Sequence, residues 1–312
     1  MELTHDILAR LDQLEAKYKA MGQNMQSYLD GLLHADYLTY WDYINLDTLL
    51  SLQNEQTQLP DERIFIIYHQ ITELYFRLIL DAIERVTNET HPSVFLLKRQ
   101  LERINRYFDS LVSSFDIMVD GMDKDEFLKF RMSLLPASGF QSAQFRQIEI
   151  MATDFQNLIH FSKRENLKNE VNIAQMYDAL YWKQGATELK TGEKTLTLKQ
   201  FELKYAKSFV ELAANFQEKN LWKTFKKLPQ DDQNDEILRG LLRTFDFNIN
   251  VLWRLSHYRS AVRFLENKPQ TIAATGGTNW QDYLPPKTQR IVFYPELWTE
   301  DEINNWGKKI KF

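Results

Sequence analysis

Apolar residues recur every three or four positions along most of the 312-residue chain, the spacing of amphipathic α-helices. Leu8, Leu11, Leu14, Tyr18 and Met21 predict an opening helix with its charges on the other face. An aromatic-rich connector follows over 36–53 and closes in a short helix at 46–52. Pro60-Asp61-Glu62 starts a long helix to about residue 86, with proline where a first turn tolerates it. A helix over 95–115 rests on Leu96, Leu101, Ile104, Phe108 and Leu111. Asp123, with Glu126 three residues on, reads as a capping box opening a helix to about 135. After a break at 136–142 a helix resumes over 143–161. Further helices fill 165–235 around a polar loop at 190–194, and a last long helix runs from 235 to about 265. No internal repeat is visible, and two strands or fewer are expected. The fold class is therefore all-α. We expect one large helical domain over 1–312, with an N-terminal helix in 1–35 and a smaller helical insertion at about 165–235.

Two of these helices carry more apolar surface than one core needs. Over 60–86, Ile64, Ile67, Tyr68, Ile71, Tyr75, Leu78 and Ala82 form a main stripe. Phe65, His69, Phe76 and Leu80 fall roughly 120–140° away at 100° per residue, so burial on two sides is expected. His69 stands one turn after Phe65 and one turn before Glu73. It reads either as a core histidine satisfied by a neighbouring carbonyl or by Glu73, or as a ligand-facing imidazole. His257 has a similar setting, with Trp253, Ala261 and Phe264 along its stripe and Arg254 and Arg263 beside it. Such a face suits a bulky flat ligand held by one imidazole, with arginines for its carboxylates. It equally suits a histidine packed against Trp253.

Composition narrows the chemistry. There is no cysteine, which removes disulfides, thiolate-held zinc or haem, iron–sulfur clusters and thiol nucleophiles. A net charge of −5 gives no footprint for nucleic acid. Residues 219–227, the most basic stretch, are interrupted by Leu221, Trp222 and Phe225 and read as a solvated helix face. No stretch approaches a membrane span and the first residues lack a signal-peptide core, so a cytoplasmic setting is expected. Phosphate loops, dinucleotide fingerprints, serine elbows and His-Glu-x-x-His pairs are absent. The aromatic share of 13% serves a core, an interface or a pocket for a flat ligand alike.

Two stretches go beyond pattern. One is Asp61-Glu62-Arg63-Ile64-Phe65-Ile66-Ile67-Tyr68-His69-Gln70-Ile71-Thr72-Glu73-Leu74. The other is Phe127-Leu128-Lys129-Phe130-Arg131, followed by Pro136-Ala137-Ser138-Gly139-Phe140-Gln141-Ser142-Ala143-Gln144-Phe145-Arg146. In order and spacing they resemble the tryptophan 2,3-dioxygenase family, strongly over about 36–150, moderately over 243–298 and negligibly over 155–235.

That resemblance implies an all-α haem b protein, usually a homotetramer, which uses O2 to open the indole ring of L-tryptophan and gives N-formylkynurenine. Carried over by position, it implies His257 as the proximal haem ligand and His69 as the distal, catalytic imidazole that meets the indole N–H. Phe65 and Phe127 would pack the substrate, Arg131 hold its carboxylate, and Thr275 touch its amino-acid end. Tyr40 and Tyr43 would reach a neighbouring protomer's pocket, so that N-terminal segments cross between protomers. Three places depart from the family pattern. Ser256 precedes His257 where arginine is usual, 274–280 read Ala-Thr-Gly-Gly-Thr-Asn-Trp, and Trp41 stands between the two tyrosines. An alternative keeps haem but acts on a substituted indole or inserts a single oxygen atom. A non-enzymatic helical scaffold explains the aromatics but leaves Arg131 and residues 138–142 without a role.

Overall fold

The computed structural model describes residues 4–35, 38–134, 139–168, 170, 172–187, 193–267, 270–271 and 280–308. These fall into two compact units, 1–54 and 55–312. Among the described residues, eight helices have nine or more residues: α1 (His5–Ala20), α2 (Met25–Leu33), α3 (Asp61–Thr87), α4 (Val94–Ser114), α5 (Ala143–Ala152), α6 (Leu196–Phe216), α7 (Glu236–Phe247) and α8 (Trp253–Leu265). A two-residue hairpin, Glu266–Asn267 with Gln270–Thr271, supplies the strands. The chain is all-α, and no described helix is long and apolar enough to cross a membrane.

In the larger unit α3 packs on α4 and α5, α4 on α7, and α5 on α6. Leu97, Leu101, Ile104, Phe108 and Leu111 make one fully buried stripe along α4. It meets Ile79, Ile83 and Val86 of α3 and Leu238, Leu242 and Phe245 of α7 in a single core. The smaller unit has no such core. None of the described residues of α1 or α2, nor of the short helices Tyr40–Tyr43 and Leu46–Leu50, is buried.

Three expectations change. The capping box at Asp123 is shared between two helices. Asp123 accepts the N–H groups of Asp125 and Glu126 at 2.9 and 3.0 Å, but the Glu126 carboxylate takes the N–H of Asp61 (3.2 Å), while the Asp61 carboxylate takes the N–H of Asp123 (2.6 Å). Two helix starts 62 residues apart thus cap each other. The helix expected over 143–161 ends at Ala152, because Thr153 turns extended and its hydroxyl donates to the Phe293 carbonyl at 2.5 Å. The main stripe of α3 is only partly buried. Tyr68 and Ala82 are, but Ile67, Ile71 and Leu78 stay 38–44% exposed and share one outward arc of the helix with the exposed Leu74.

Between α7 and α8 the chain passes through a π-turn, Asn248–Leu252, one extra residue per turn of the kind found where a helix must present side chains at an altered angle. Asp246, fully buried just before it, receives the N–H groups of Phe293 (2.9 Å) and Tyr294 (3.0 Å), the Trp298 indole N–H (3.0 Å) and the Asn250 amide (2.8 Å). Burial pushes the Asp246 carboxyl upward against the pull of these donors. Replacing Asp246 with alanine strands four hydrogen-bond donors, those of Phe293, Tyr294, Trp298 and Asn250. We expect a loss of about 3–5 kcal/mol of stability, read from the urea unfolding midpoint; a loss below about 1 kcal/mol would show that the C-terminal segment is held by packing alone.

Candidate functional site

α3 and α8 each send one imidazole into a common cavity of about 650 Å3, well within the range of small-molecule and cofactor sites. Phe65, His69 and Phe76 reach it from α3. Trp253, His257, Ala261 and Phe264 reach it from α8, in line because residues three and four apart share a helix face.

Both imidazoles are held in the same way. His69 Nδ1 lies 2.7 Å from the Phe65 carbonyl and His257 Nδ1 lies 3.0 Å from the Trp253 carbonyl, each four residues back on its own helix. A carbonyl only accepts, so the proton sits on Nδ1 and the Nε2 lone pair is left bare on each ring. Burial drives the His257 pKa down to about 4, against its bond to Trp253 and helped by His69, Arg254 and Arg146. Burial also lowers His69, against its bond to Phe65 and the charge of Glu73. Although His69 is enclosed by protein, its ring keeps surface open to the cavity. At neutral pH both rings are uncharged.

Aromatic rings frame the space. Phe65 lies 4.1 Å from His69 and 6.2 Å from Phe127, and Phe127 lies 4.5 Å from Phe264, centroid to centroid. Phe115 stands 4.8 Å from His257, 5.2 Å from Trp253 and 5.7 Å from Tyr68, which links α3 to the His257 ring. By sequence alone Phe115 stands only at the end of the helix over 95–115. His160 also lines the cavity, its Nδ1 facing the Ser162 hydroxyl at 2.8 Å, and nothing in its local sequence singles it out.

Of the residues expected at the site, Phe65, His69, Phe127 and His257 line one cavity together. Arg131 is buried at the start of the 3-10 turn Arg131–Leu134 but is not in the cavity lining. Its neighbour Phe130 packs on Phe65 and Phe127 at 5.8 and 5.5 Å. Tyr40 and Tyr43 lie on a short helix of the N-terminal unit, 71% and 75% exposed. Thr275 lies outside the described residues. Arg254 is in the cavity wall, whereas Arg263 is exposed and covers the Phe264 ring. The stretch expected to be an insertion contributes Tyr181, Trp182, Gly185 and Thr187 to the wall. Gly185 lets the Tyr283 ring approach so closely that a β-carbon would sit 3.0 Å from it.

This is a helical protein in which two uncharged imidazoles line one aromatic cavity with room for a large flat ligand. The chain belongs to the tryptophan 2,3-dioxygenase family, whose model matches residues 26–252. It is 28% identical over 300 residues to the tryptophan 2,3-dioxygenase of Bacillus thuringiensis subsp. konkukian, covering 89% of this chain and 98% of that one. It is 30% identical over 272 residues to that of a Polaromonas species, covering 84% and 86%. A tryptophan 2,3-dioxygenase 2 of Ralstonia nicotianae is 41% identical over 125 residues, 36% of this chain and 34% of that one. The family match runs through residues 155–235, where the motifs alone show no resemblance, and ends before His257.

The buried neutral His257 makes stability depend on pH. Its folded pKa of about 4 lies below the ordinary 6.5, so the unfolded chain binds the extra proton first. The contribution is complete above about pH 6.5 and is lost as pH falls to about 4, at up to about 1.4 kcal/mol per pH unit. Urea unfolding of the ligand-free protein from pH 7 to 4 should show this slope, and His257→Gln should make it shallower, leaving the part that the likewise lowered His69 and His160 contribute. An identical slope in both proteins would place the proton elsewhere.

Proposed function

We propose that this protein is a haem-dependent dioxygenase that opens the indole ring of L-tryptophan with O2 to give N-formylkynurenine. The observation that carries the reading is the convergence of His69 and His257, both uncharged and both with Nε2 bare, on one aromatic cavity.

The residues fit a haem b. Among the described residues no three imidazole or carboxylate side chains converge to hold a bare metal ion, so iron at His257 would come with a macrocycle that supplies its other ligands. The Trp253 carbonyl fixes the His257 tautomer, as an outer partner does for a ligating histidine. Ala261, one turn on, and the rings of Trp253, Phe115 and Phe264 supply flat apolar walls that exclude water. Bound haem supplies the activation of O2.

The chain's own residues orient the substrate. His69 accepts the indole N–H at Nε2, where an unpaired donor in an apolar pocket would be costly. Its lowered pKa makes it a weak base, so it holds that proton in place and need not remove it. Phe65 and Phe127 pack the indole; Arg131, which stands behind the lining beside Phe130, and Thr275 are the positions that in the family hold the amino-acid end. The altered stretch 274–280 and a wall supplied by 181–187 favour a second reading, an indole carrying a substituent or receiving one oxygen atom.

The N-terminal unit supports assembly, with its segments crossing between protomers. Leu32 and Leu33 are 70% and 78% exposed, beside the exposed Tyr40 and Tyr43, and the outward stripe of α3 forms an apolar groove with Ile117. Surfaces of this kind mark interfaces. A homotetramer in the cytoplasm, with Tyr40 and Tyr43 at the neighbour's pocket, accounts for them.

Haem-reconstituted protein should show a Soret band, shift it on adding L-tryptophan without air, and release N-formylkynurenine with both labelled oxygen atoms when 18O2 is admitted. One labelled atom, or product only from a substituted indole, would select the second reading. Haem-loaded protein that turns over no indole would refute both. His69→Ala should lower kcat/KM for tryptophan about ten- to a hundredfold, and an indole methylated at nitrogen should escape that penalty. Light scattering should give the mass of four chains, and a monomer would refute the assembly.

A further inference from the structure

One wall of the cavity is charged. Arg146 donates to the Glu149 carboxylate at 2.7 Å and to the Tyr181 hydroxyl at 2.8 Å. Tyr181 donates to the other Glu149 oxygen at 2.5 Å, and Arg254 reaches that same oxygen at 3.2 Å. The side chains of Arg146, Arg254 and Glu149 are 8%, 7% and 1% exposed. Two guanidinium groups therefore share one carboxylate, and Glu149 has both oxygens committed. Asp246 does not restore the balance by contact. Asn250 stands between, giving its amide N–H to Asp246 and taking Arg254 at 2.8 Å on its carbonyl. Both arginines line the cavity, and the Nε of each has no hydrogen-bond partner among the described residues. A buried cation lacking its counter-charge is costly unless a ligand supplies it.

We propose, building on the haem and tryptophan reading of this cavity, that Arg146 and Arg254, aligned by Glu149 and Tyr181, form a receptor for one carboxylate of the ligand in the cavity. Guanidinium suits the task because its planar N–H fork matches a carboxylate. Haem offers such a group on its propionates and tryptophan on its amino-acid end. Tyr181 brings to the receptor a stretch that carries none of the family's motifs.

The test uses full-length protein and two ligand pairs. Haem is compared with haem dimethyl ester, whose propionates are capped, by Soret titration. On haem-loaded protein, L-tryptophan is compared with tryptamine, which lacks the carboxylate. Wild type should prefer the free carboxylate in at least one pair by about ten- to a hundredfold, and Arg254→Gln should lose most of that preference. Loss in the haem pair assigns the carboxylate to a propionate, and loss in the tryptophan pair assigns it to the substrate. Glu149→Gln removes the cluster's anion, so the same preference should hold or widen. Tyr181→Phe keeps every charge and should narrow it about two- to tenfold. Preferences unchanged in Arg254→Gln, or falling alike in Arg254→Gln and Glu149→Gln, would overturn the proposal and leave the cluster a clamp of the fold. Wild type that binds haem and its ester equally, and tryptophan and tryptamine equally, would also overturn it while the haem reading stood. Wild type that binds neither haem form would sink both.

Discussion

A helical core gains by closing on itself, since every void inside it forfeits contacts that close packing would make. Holding about 650 Å3 open among α3, α8 and the turns around them is therefore the constraint that shapes this chain. Stiff rings meet it. Phe65, Phe115, Phe127, Trp253 and Phe264 brace one another at centroid distances of about 4.5–6 Å, many tilted or edge to face, the arrangements in which aromatic pairs attract. A part of the aromatic share that was ambiguous in the composition serves this frame. The two imidazoles are fixed from behind, each by a carbonyl of its own helix, so neither can swing to fill the space or hydrogen-bond across it.

The orientation of α8 depends on what lies behind the frame. The π-turn at Asn248–Leu252 keeps Asp246, Asn250 and Arg254 in one column, and that column joins the C-terminal segment at Phe293–Trp298 to the charged wall at Glu149. Ser256, where arginine is usual in the family, turns its hydroxyl back to the Leu252 carbonyl at 3.1 Å. It thus serves the helix at the π-turn, as serines in helices often do, and leaves the cationic side of the cavity to Arg254 and Arg146.

Much of this was legible in the sequence because it is local. Phe65 and His69, like Trp253 and His257, are four residues apart, and helical pitch alone places them on one face. The helix starts were marked by proline and capping residues. The illegible parts depend on pairs far apart in the chain. Arg146 was visible as a motif residue, yet its partner Tyr181 lies 35 positions later, and Arg254, which shares Glu149 with it, lies 108 positions later. Phe115 gains meaning only where α8 crosses it. The end of the helix at Ala152 is set by a carbonyl of Phe293, 140 positions on. The outward stripe of α3 looked like core because periodicity records an apolar face and not what covers it.

The cavity wall thus has two sources. One is α3, α8 and the turn after Asp123, where motif and geometry coincide and where the imidazoles and the rings of Phe65 and Phe127 stand. The other is 181–187 with Tyr283, Leu284, Thr288 and Gln289, held together by the close approach of Gly185 to the Tyr283 ring and linked through Tyr181 to the arginines. A change in the first source alters the imidazoles and the rings packed beside them. A change in the second reshapes the space and the charge around them while those groups keep their tethers. The shape and charge of the cavity can therefore vary at 181–187 within this architecture without disturbing its imidazoles.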